Sequence, residues 1–439
     1  MLSNIDKVFE KLVYSRVISF FNTNHVLFKR QYGFRSKHST AHSLINITER
    51  IRQSLDKGEY SCGILIDFKK AFDTVDHLIL LKKLDHYGIR GTPNNWFRSY
   101  LCDRKQYVSG TNSSFKSINH GEPQGSVLRP LLFLIYINDL PNALVYSDAF
   151  IFADDTALLY SDKNLKRIRK RLNIDLKLLV HWLHTNKIGL IVDKTEAILF
   201  RSAKKKVDYD LKLKLNGKKF QLVSPVRYLG IVLDENLSWT HHKNSLAGKL
   251  RKSNGALSKL RHYIPRATIV SIYFSLFHSH LSYGIQVWGQ NINENCRIIK
   301  LQKTVIRLIT FSDFRAHSTS LFLLLDIPSI QNLVFVLNVC LVHQAWNFEC
   351  PDSIREILSL SVIQSQYETR GALMKLLKRP VAKSTKYGLN SITYQSVINW
   401  NQLQINNPTI DLSSISYLKT KKIVKNFVKV ALPRLATSY

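Results

Sequence analysis

Cysteine is scarce: five residues in 439, Cys62, Cys102, Cys296, Cys340 and Cys350. Their odd number and the lack of CxxC or Cys/His spacing exclude a disulfide framework and a zinc finger, and point to reduced, structural thiols. Acidic residues are scarce too, 31 against 63 Lys and Arg, a formal charge of +32. The excess is spread along nearly the whole chain. Such a field suits a polyanion, with nucleic acid the first candidate and a ribosomal or merely soluble basic protein the plainer one. No long apolar run is present. Residues 1–14 carry Asp6, Lys7, Glu10 and Lys11 and lack the apolar core of a signal peptide, so secretion is not expected. The longest apolar stretch, Leu321 to Ala345, is broken by Asp326, Pro328, Gln331 and Asn332, and no membrane partner is expected. Repeats and low-complexity linkers are absent as well. What the chain does have is bulk: 45% hydrophobic residues over a length that suits two or three domains with real cores.

Periodicity divides the chain into a mixed part and a helical part. Ile5, Phe9, Leu12, Val13, Val17 and Phe20 form a helical stripe, and a basic, Gly- and Ser-containing loop from Gln31 to Thr40 follows it. Ser39 to Leu55 is again helical. The run Cys62 to Ile66 is short and apolar enough to be a buried strand, and it ends on Asp67. Asp73 or Asp76 caps the next helix, and Thr92-Pro93 opens another. Gln106 to Asn119 suits two strands, and Ser126 to Leu140 an apolar helix behind the loop Gly121 to Gly125, where a helix N-terminus favours anions. Ala149–Ala153 and Thr156–Tyr160 read as strands separated only by Asp154-Asp155, a hairpin with carboxylates at its tip. A helix from Lys163 to His184, a strand from Leu190 to Phe200 and a hairpin turning at Asn216-Gly217 complete the mixed part. Beyond Trp239 the pattern is mainly helical, which places a boundary near 235–245.

The chemistry lies in Asp67, Asp154 and Asp155. If their strands are neighbours in one sheet, all three side chains project from one edge, and their mutual repulsion calls for divalent cations. Magnesium, which takes hard oxygen ligands and leaves room for substrate phosphates, is the natural occupant, with manganese the alternative. Two such ions suit an in-line displacement by a 3′-hydroxyl. Taken singly, Asp67 also reads as a helix cap and Asp154-Asp155 as a polar turn.

Longer stretches around these residues carry a resemblance. Ile66-Asp-Phe-Lys-Lys-Ala-Phe-Asp-Thr-Val-Asp-His77 resembles motif A of reverse transcriptases from non-LTR, jockey-like retrotransposons. The run from Gly121 to Pro141 resembles their motif B, and Phe152-Ala-Asp-Asp-Thr156 their motif C. Gln31-Tyr-Gly-Phe-Arg35 with His38-Ser-Thr40 is similar to the fingers loop, Asn186 to Thr195 to motif D, and Tyr228-Leu-Gly230 to motif E. Tyr283-Gly284, Trp288-Gly289 and Gln302-Lys303 look like the thumb. The resemblance implies an α+β, right-hand polymerase fold: partial fingers over 1–60, a palm with motifs A–E over 61–240, a helical thumb over 241–315 and a helical C-terminal extension over 316–439. It implies an RNA-directed DNA polymerase that adds deoxynucleotides to a primer 3′-OH with two metal ions.

Carried over position by position, Asp67, Asp154 and Asp155, with the Phe68 carbonyl, would hold the metals. Phe72 would be the steric gate against a 2′-hydroxyl, ordinary core packing being its plainer role. Gln124 would contact the incoming nucleotide, while Gly125 lets backbone approach closely. Arg35 would meet the triphosphate and Lys194 would protonate the leaving pyrophosphate, although either also reads as a solvated surface cation. Basic clusters at Lys166–Arg171, Lys204–Lys206, Lys212–Lys219, Lys249–Lys252 and Lys419–Lys422 are candidate grips on an RNA template, a DNA primer and target DNA. The implied location is the nucleus, with cytoplasmic assembly as the variant. Two departures stand out: Glu122 at a usually apolar position, expected to weaken nucleotide binding, and Arg129 at a usual glycine. Family members also place more fingers sequence ahead of the position of Met1, and no endonuclease domain or zinc knuckle is recognisable. A truncated element copy is therefore expected, and a catalytically decayed nucleic-acid-binding protein is the alternative. A group II intron maturase, which shares the palm, is disfavoured by the jockey-like wording of motifs A and B.

Overall fold

The computed structural model describes residues 4–430, except 103, 107–113, 115, 119, 122–124, 206–210, 221, 291, 294, 364–373, 409 and 411. The chain divides into two compact units, 1–43 with 59–226, and 44–58 with 227–439. The sequence reading groups 1–60 together, whereas here 44–58 belongs with the second unit.

The first unit is built from helices α1 (Asn4–Thr23), α3 (His77–His86), α4 (Thr92–Leu101), α5 (Arg129–Ile137) and α6 (Leu165–Thr185) around a sheet; α2 (Thr40–Asp56) begins in it. Four strands, β1 (Tyr60–Ile66), β5 (Asp148–Phe152), β6 (Asp155–Asp162) and β8 (Glu196–Phe200), form an antiparallel sheet in the order β5-β6-β1-β8. The inner strand β1 is the apolar run of motif A, and Cys62, Ile64 and Ile66 are all buried. Short ribbons surround it: β2 (Phe68–Lys69) with β7 (Gly189–Leu190), β3 (Arg104–Gln106) with β4 (Lys116–Ile118), and β9 (Leu213–Leu215) with β10 (Lys218–Phe220). Asn216 and Gly217, which join β9 to β10, both have positive φ, the conformation a two-residue hairpin demands. The core combines the sheet with α5, whose residues Leu131 to Ile137 are all buried, and with Ile168, Leu172, Leu176 and Leu179 of α6.

Several elements differ from the sequence reading. In α1 the buried positions are Glu10, Val17 and Phe21, while Ile5 and Leu12 of the expected stripe are 81% and 58% exposed. Glu10 is buried because its carboxylate accepts from the Tyr100 hydroxyl at 2.6 Å and from the Val127 amide at 2.7 Å. Of the two capping candidates, Asp76 caps α3 through the Ile79 amide. At α4 the cap is Gly91, one residue before Thr92. The helix expected from Ser126 starts at Arg129, because the Ser126 hydroxyl is bound by Tyr100 and accepts from the Leu128 amide. The strand expected from Leu190 to Phe200 is interrupted by a 3-10 turn, Val192–Lys194.

The hairpin of β11 (Val226–Tyr228) and β12 (Ile231–Leu233) begins at the last residue of the first unit, and from Thr240 onward the second unit is mainly helical. Helix α7 (Thr240–Leu260) runs beside Arg297–Thr310, joined by Asn254 to the Leu301 carbonyl and Arg261 to the Leu308 carbonyl. A separate core forms between Ile330–Trp346, Ile392–Asn406 and Tyr417–Val430, with Phe335 stacked on Phe427 at 5.6 Å. The end of α2 is tied into this unit by buried polar bonds. Glu49 accepts from the amides of Ile392 and Thr393, Arg52 donates to the Val287 carbonyl, and Asp56 accepts from the Ser384 amide. Among the described residues no helix is long and apolar enough to cross a membrane.

Candidate active site

The sheet register decides where the carboxylates go. β1 and β6 pair up to Ile66 and Thr156, so Asp67, the residue after β1, and Asp155, the residue before Thr156, lie at the same end of the two strands. β5 and β6 pair up to Phe152 and Asp155, leaving Ala153 and Asp154 as the turn. The reading of the pair as a hairpin tip is thus shifted by one residue, since Asp155 is the first residue of β6. Ala153 takes a left-handed φ of 56°, and that turn carries Asp154 at the strand end. Asp67 is fixed from its other side: its carbonyl accepts from the Ile191 amide at 3.0 Å, and Phe68 then pairs with Leu190. It therefore sits where the chain passes from one strand partner to another.

Partial burial first, then Asp154 and then Asp67, push the Asp155 carboxyl above the usual carboxylate range. Among the described residues, no three His, Cys, Asp or Glu side chains are gathered closely enough to hold one ion. The aspartates are neighbours on one edge, not a closed cage. Their donor chemistry, hard carboxylate oxygens at one strand end with the Lys194 ammonium nearby, is of the kind that divalent cations take, Asp67, Asp154 and Asp155 being the candidate ligands.

Lys194, in the 3-10 turn that breaks the expected strand, brings its ammonium to 3.9 Å from an Asp67 carboxylate oxygen. The Phe72 ring lies 4.3 Å from the Phe133 ring and 6.3 Å from the Phe34 ring, in the helix of motif B and in the fingers loop respectively. Phe68 is buried. Gly125 has a φ of +82° with open space around it, so the backbone there is uncovered. Gln124 and Glu122 lie outside the described residues. Arg35 turns toward its own loop: Nη1 donates to the Phe28 carbonyl at 2.9 Å and to the Gln31 carbonyl at 3.3 Å.

Motifs A and B are stitched together by backbone bonds. The Gly121 amide donates to the Val75 carbonyl, His77 donates to the Gly121 carbonyl at 2.6 Å, and a Cβ on Gly121 would stand 2.8 Å from the Asp73 carbonyl oxygen. The fingers loop is stitched to motif C just as closely. The Tyr32 amide donates to the Ile151 carbonyl, the Ile151 amide donates to the Arg30 carbonyl, and Gln31 Oε1 accepts from the amides of Gly33 and Ala153. Gln31 is therefore a site residue that the motif comparison contained but did not single out. Its signal in the sequence is only a glutamine beside an apolar Tyr-Gly pair. Of the basic clusters, Lys166–Arg171 is partly committed to the fold, with Arg167 and Arg171 facing Asp162; Lys206 lies outside the described residues.

Residues 1–233 match the family described as "Reverse transcriptase (RNA-dependent DNA polymerase)". A protein of Drosophila melanogaster named "Probable RNA-directed DNA polymerase from transposon BS" is 30% identical over 356 residues, covering 76% of this chain and 38% of that protein. The RNA-directed DNA polymerase from mobile element jockey of the same organism is 27% identical over 346 residues, covering 75% of this chain and 37% of that protein. The chain thus spans less than two-fifths of the length of these relatives. Among solved structures, telomerase from Candida albicans aligns with 74% of this chain and 56% of its own at 13% identity, with a TM-score of 0.39. With an antiparallel sheet at whose strand ends Asp67, Asp154 and Asp155 lie, and a family match over more than half of its length, the chain belongs to the reverse transcriptases.

Proposed function

We propose that this chain is an RNA-directed DNA polymerase of a non-LTR, jockey-like retrotransposon, adding deoxynucleotides to a primer 3′-OH on an RNA template. The observation that supports the reading is the register of β1 on β6, which ends at Ile66 and Thr156 and leaves Asp67 and Asp155 at one strand end beside the turn bearing Asp154. Two magnesium ions, or manganese in their place, would supply charge neutralisation and activation of the 3′-oxygen when bound. Asp67, Asp154 and Asp155 hold them, with the Phe68 carbonyl as a further oxygen. Phe72, packed on Phe133, presents a ring that leaves no room for a 2′-hydroxyl. Gly125 and Gln124 meet the nucleotide, and Arg35 meets its phosphates by leaving the Phe28 and Gln31 carbonyls to which it is bonded here. Lys194, beside Asp67, is placed to give a proton to the departing pyrophosphate. The basic excess grips template, primer and target DNA through their phosphates, and the work is done in the nucleus.

Arg129, one of the departures that favour the alternative of a decayed binding protein, has specific partners, Asp73 and Phe72. The test is incorporation of labelled deoxynucleotides on a primed RNA template with magnesium, with EDTA as the control. Template-directed extension that EDTA abolishes supports polymerisation; salt-sensitive binding of the primed template without extension supports the decayed protein.

A further inference from the structure

Arg129 is the first residue of α5 and its only charged one. A cation at a helix N-terminus opposes the helix dipole, so its position calls for compensation from elsewhere. The compensation is specific. Its Nη2 lies 2.6 Å from Oδ1 of Asp73, and its guanidinium carbon lies 5.5 Å from the centre of the Phe72 ring. Four residues along α5, on the same face, the fully buried Phe133 meets that ring at 4.3 Å. Two adjacent residues of the 3-10 turn Ala71–Asp73 are thus gripped by an i,i+4 pair of one helix: Asp73 by Arg129, and Phe72 by Arg129 and Phe133 together.

We propose that Arg129, anchored by Asp73, is a positioning residue that fixes the Phe72 ring and thereby sets how strongly the site rejects ribonucleotides. The inference rests on the reading of the site as a deoxynucleotide-polymerising centre with Phe72 under the sugar. A flat guanidinium over a ring restrains its tilt, and an ion pair restrains the guanidinium. A glycine at 129 would take the cation off the ring and leave its aromatic contacts to Phe133 and the edge of Phe34. The Asp73 side chain is 49% exposed and can be changed near the surface, whereas that of Arg129 is 18% exposed and is replaced by Met, which keeps an aliphatic stem in its place.

The experiment compares dTTP and UTP incorporation by the full chain on a primed RNA template. Arg129→Met raises relative use of the ribonucleotide about three- to tenfold, through a lower KM for UTP and not through kcat. Asp73→Asn shifts the ratio the same way, and the two changes together do little more than either alone, because they break one unit. Arg129→Lys restores part of the discrimination, since its charge reaches Asp73 without the planar surface. A dTTP/UTP ratio equal in wild type, Arg129→Met and Asp73→Asn overturns the proposal. If the wild type incorporates neither nucleotide, the polymerase reading falls, and the clamp is judged separately by a 4-fluorophenylalanine placed at position 72. Its fluorine resonance shifts and broadens in Arg129→Met if Arg129 holds the ring; an unchanged resonance overturns the clamp.

Discussion

The ammonium of Lys194 stands 3.9 Å from a carboxylate oxygen of Asp67, although 127 residues separate them in the chain. The contact exists because the chain after β7 turns through Val192–Lys194 just where Asp67 leaves β1. The lysine side chain is 67% exposed, so as an ion pair the contact contributes less than about 1 kcal/mol to folding. Lys194→Gln is expected to leave the urea midpoint nearly unchanged while slowing single-turnover extension by at least about tenfold, the low end of what a positioned acid contributes. Equal single-turnover rates in variant and wild type would remove Lys194 from the chemistry.

The β5–β6 turn is expected to depend on the fingers loop. Gln31 is buried and its Oε1 accepts from the amides of Gly33 and Ala153, while its Nε2 has no partner among the described residues. Gln31→Leu strands two amides and relieves one orphan donor, for a net loss of about 2 kcal/mol. Gly33→Ala places a Cβ 2.5 Å from the Ala153 nitrogen, a backbone atom that cannot yield cheaply, and costs roughly 2 kcal/mol or more. Urea unfolding measures both, and a loss below about 0.5 kcal/mol in Gly33→Ala would contradict the close approach.

Two histidines, half-buried His42 and buried His242, are expected to lower the stability at acid pH. Burial, reinforced by His38, lowers His42 from the usual 6.5 to about 4; burial, reinforced by Lys249, Lys243 and Arg227, does the same to His242. A depressed folded pKa means that the unfolded chain binds the proton more readily. The contribution is therefore complete above about pH 6.5 and is lost as the pH falls toward 4. Each histidine is expected to contribute a slope of up to about 1.4 kcal/mol per pH unit within that window. Urea midpoints between pH 7.5 and 4.5 test this, with His242→Asn flattening the slope of the second unit; a midpoint independent of pH would refute it.

The local features of this fold are legible in the sequence, and its long-range ones are not. Asn216-Gly217 announces its turn because only such residues take paired positive φ cheaply, and Cys62 to Ile66 reads as an inner strand because it is apolar on both faces. The approach of Asp67 to Asp155 follows once those strands are neighbours, which motif order suggests and the register completes. The orientation of α1 is different. Its exposed Ile5 and Leu12 and buried Glu10 invert the usual pattern, because Tyr100 and the Val127 amide, about ninety and more residues away, draw the carboxylate inward. The roles of Gln31 and Arg129 were hidden for the same reason. A glutamine or an arginine carries no local signal of the partner it will find, and both partners come from distant segments.

The account stands most directly on extension of a primed RNA template with magnesium by the wild type and by Asp154→Asn. The substitution keeps the shape of the turn and removes one of the coupled charges at the sheet edge. Robust extension by the wild type and a loss of about a thousandfold or more in the variant, with folding unchanged by circular dichroism, is the predicted result. Equal extension by both proteins would contradict it.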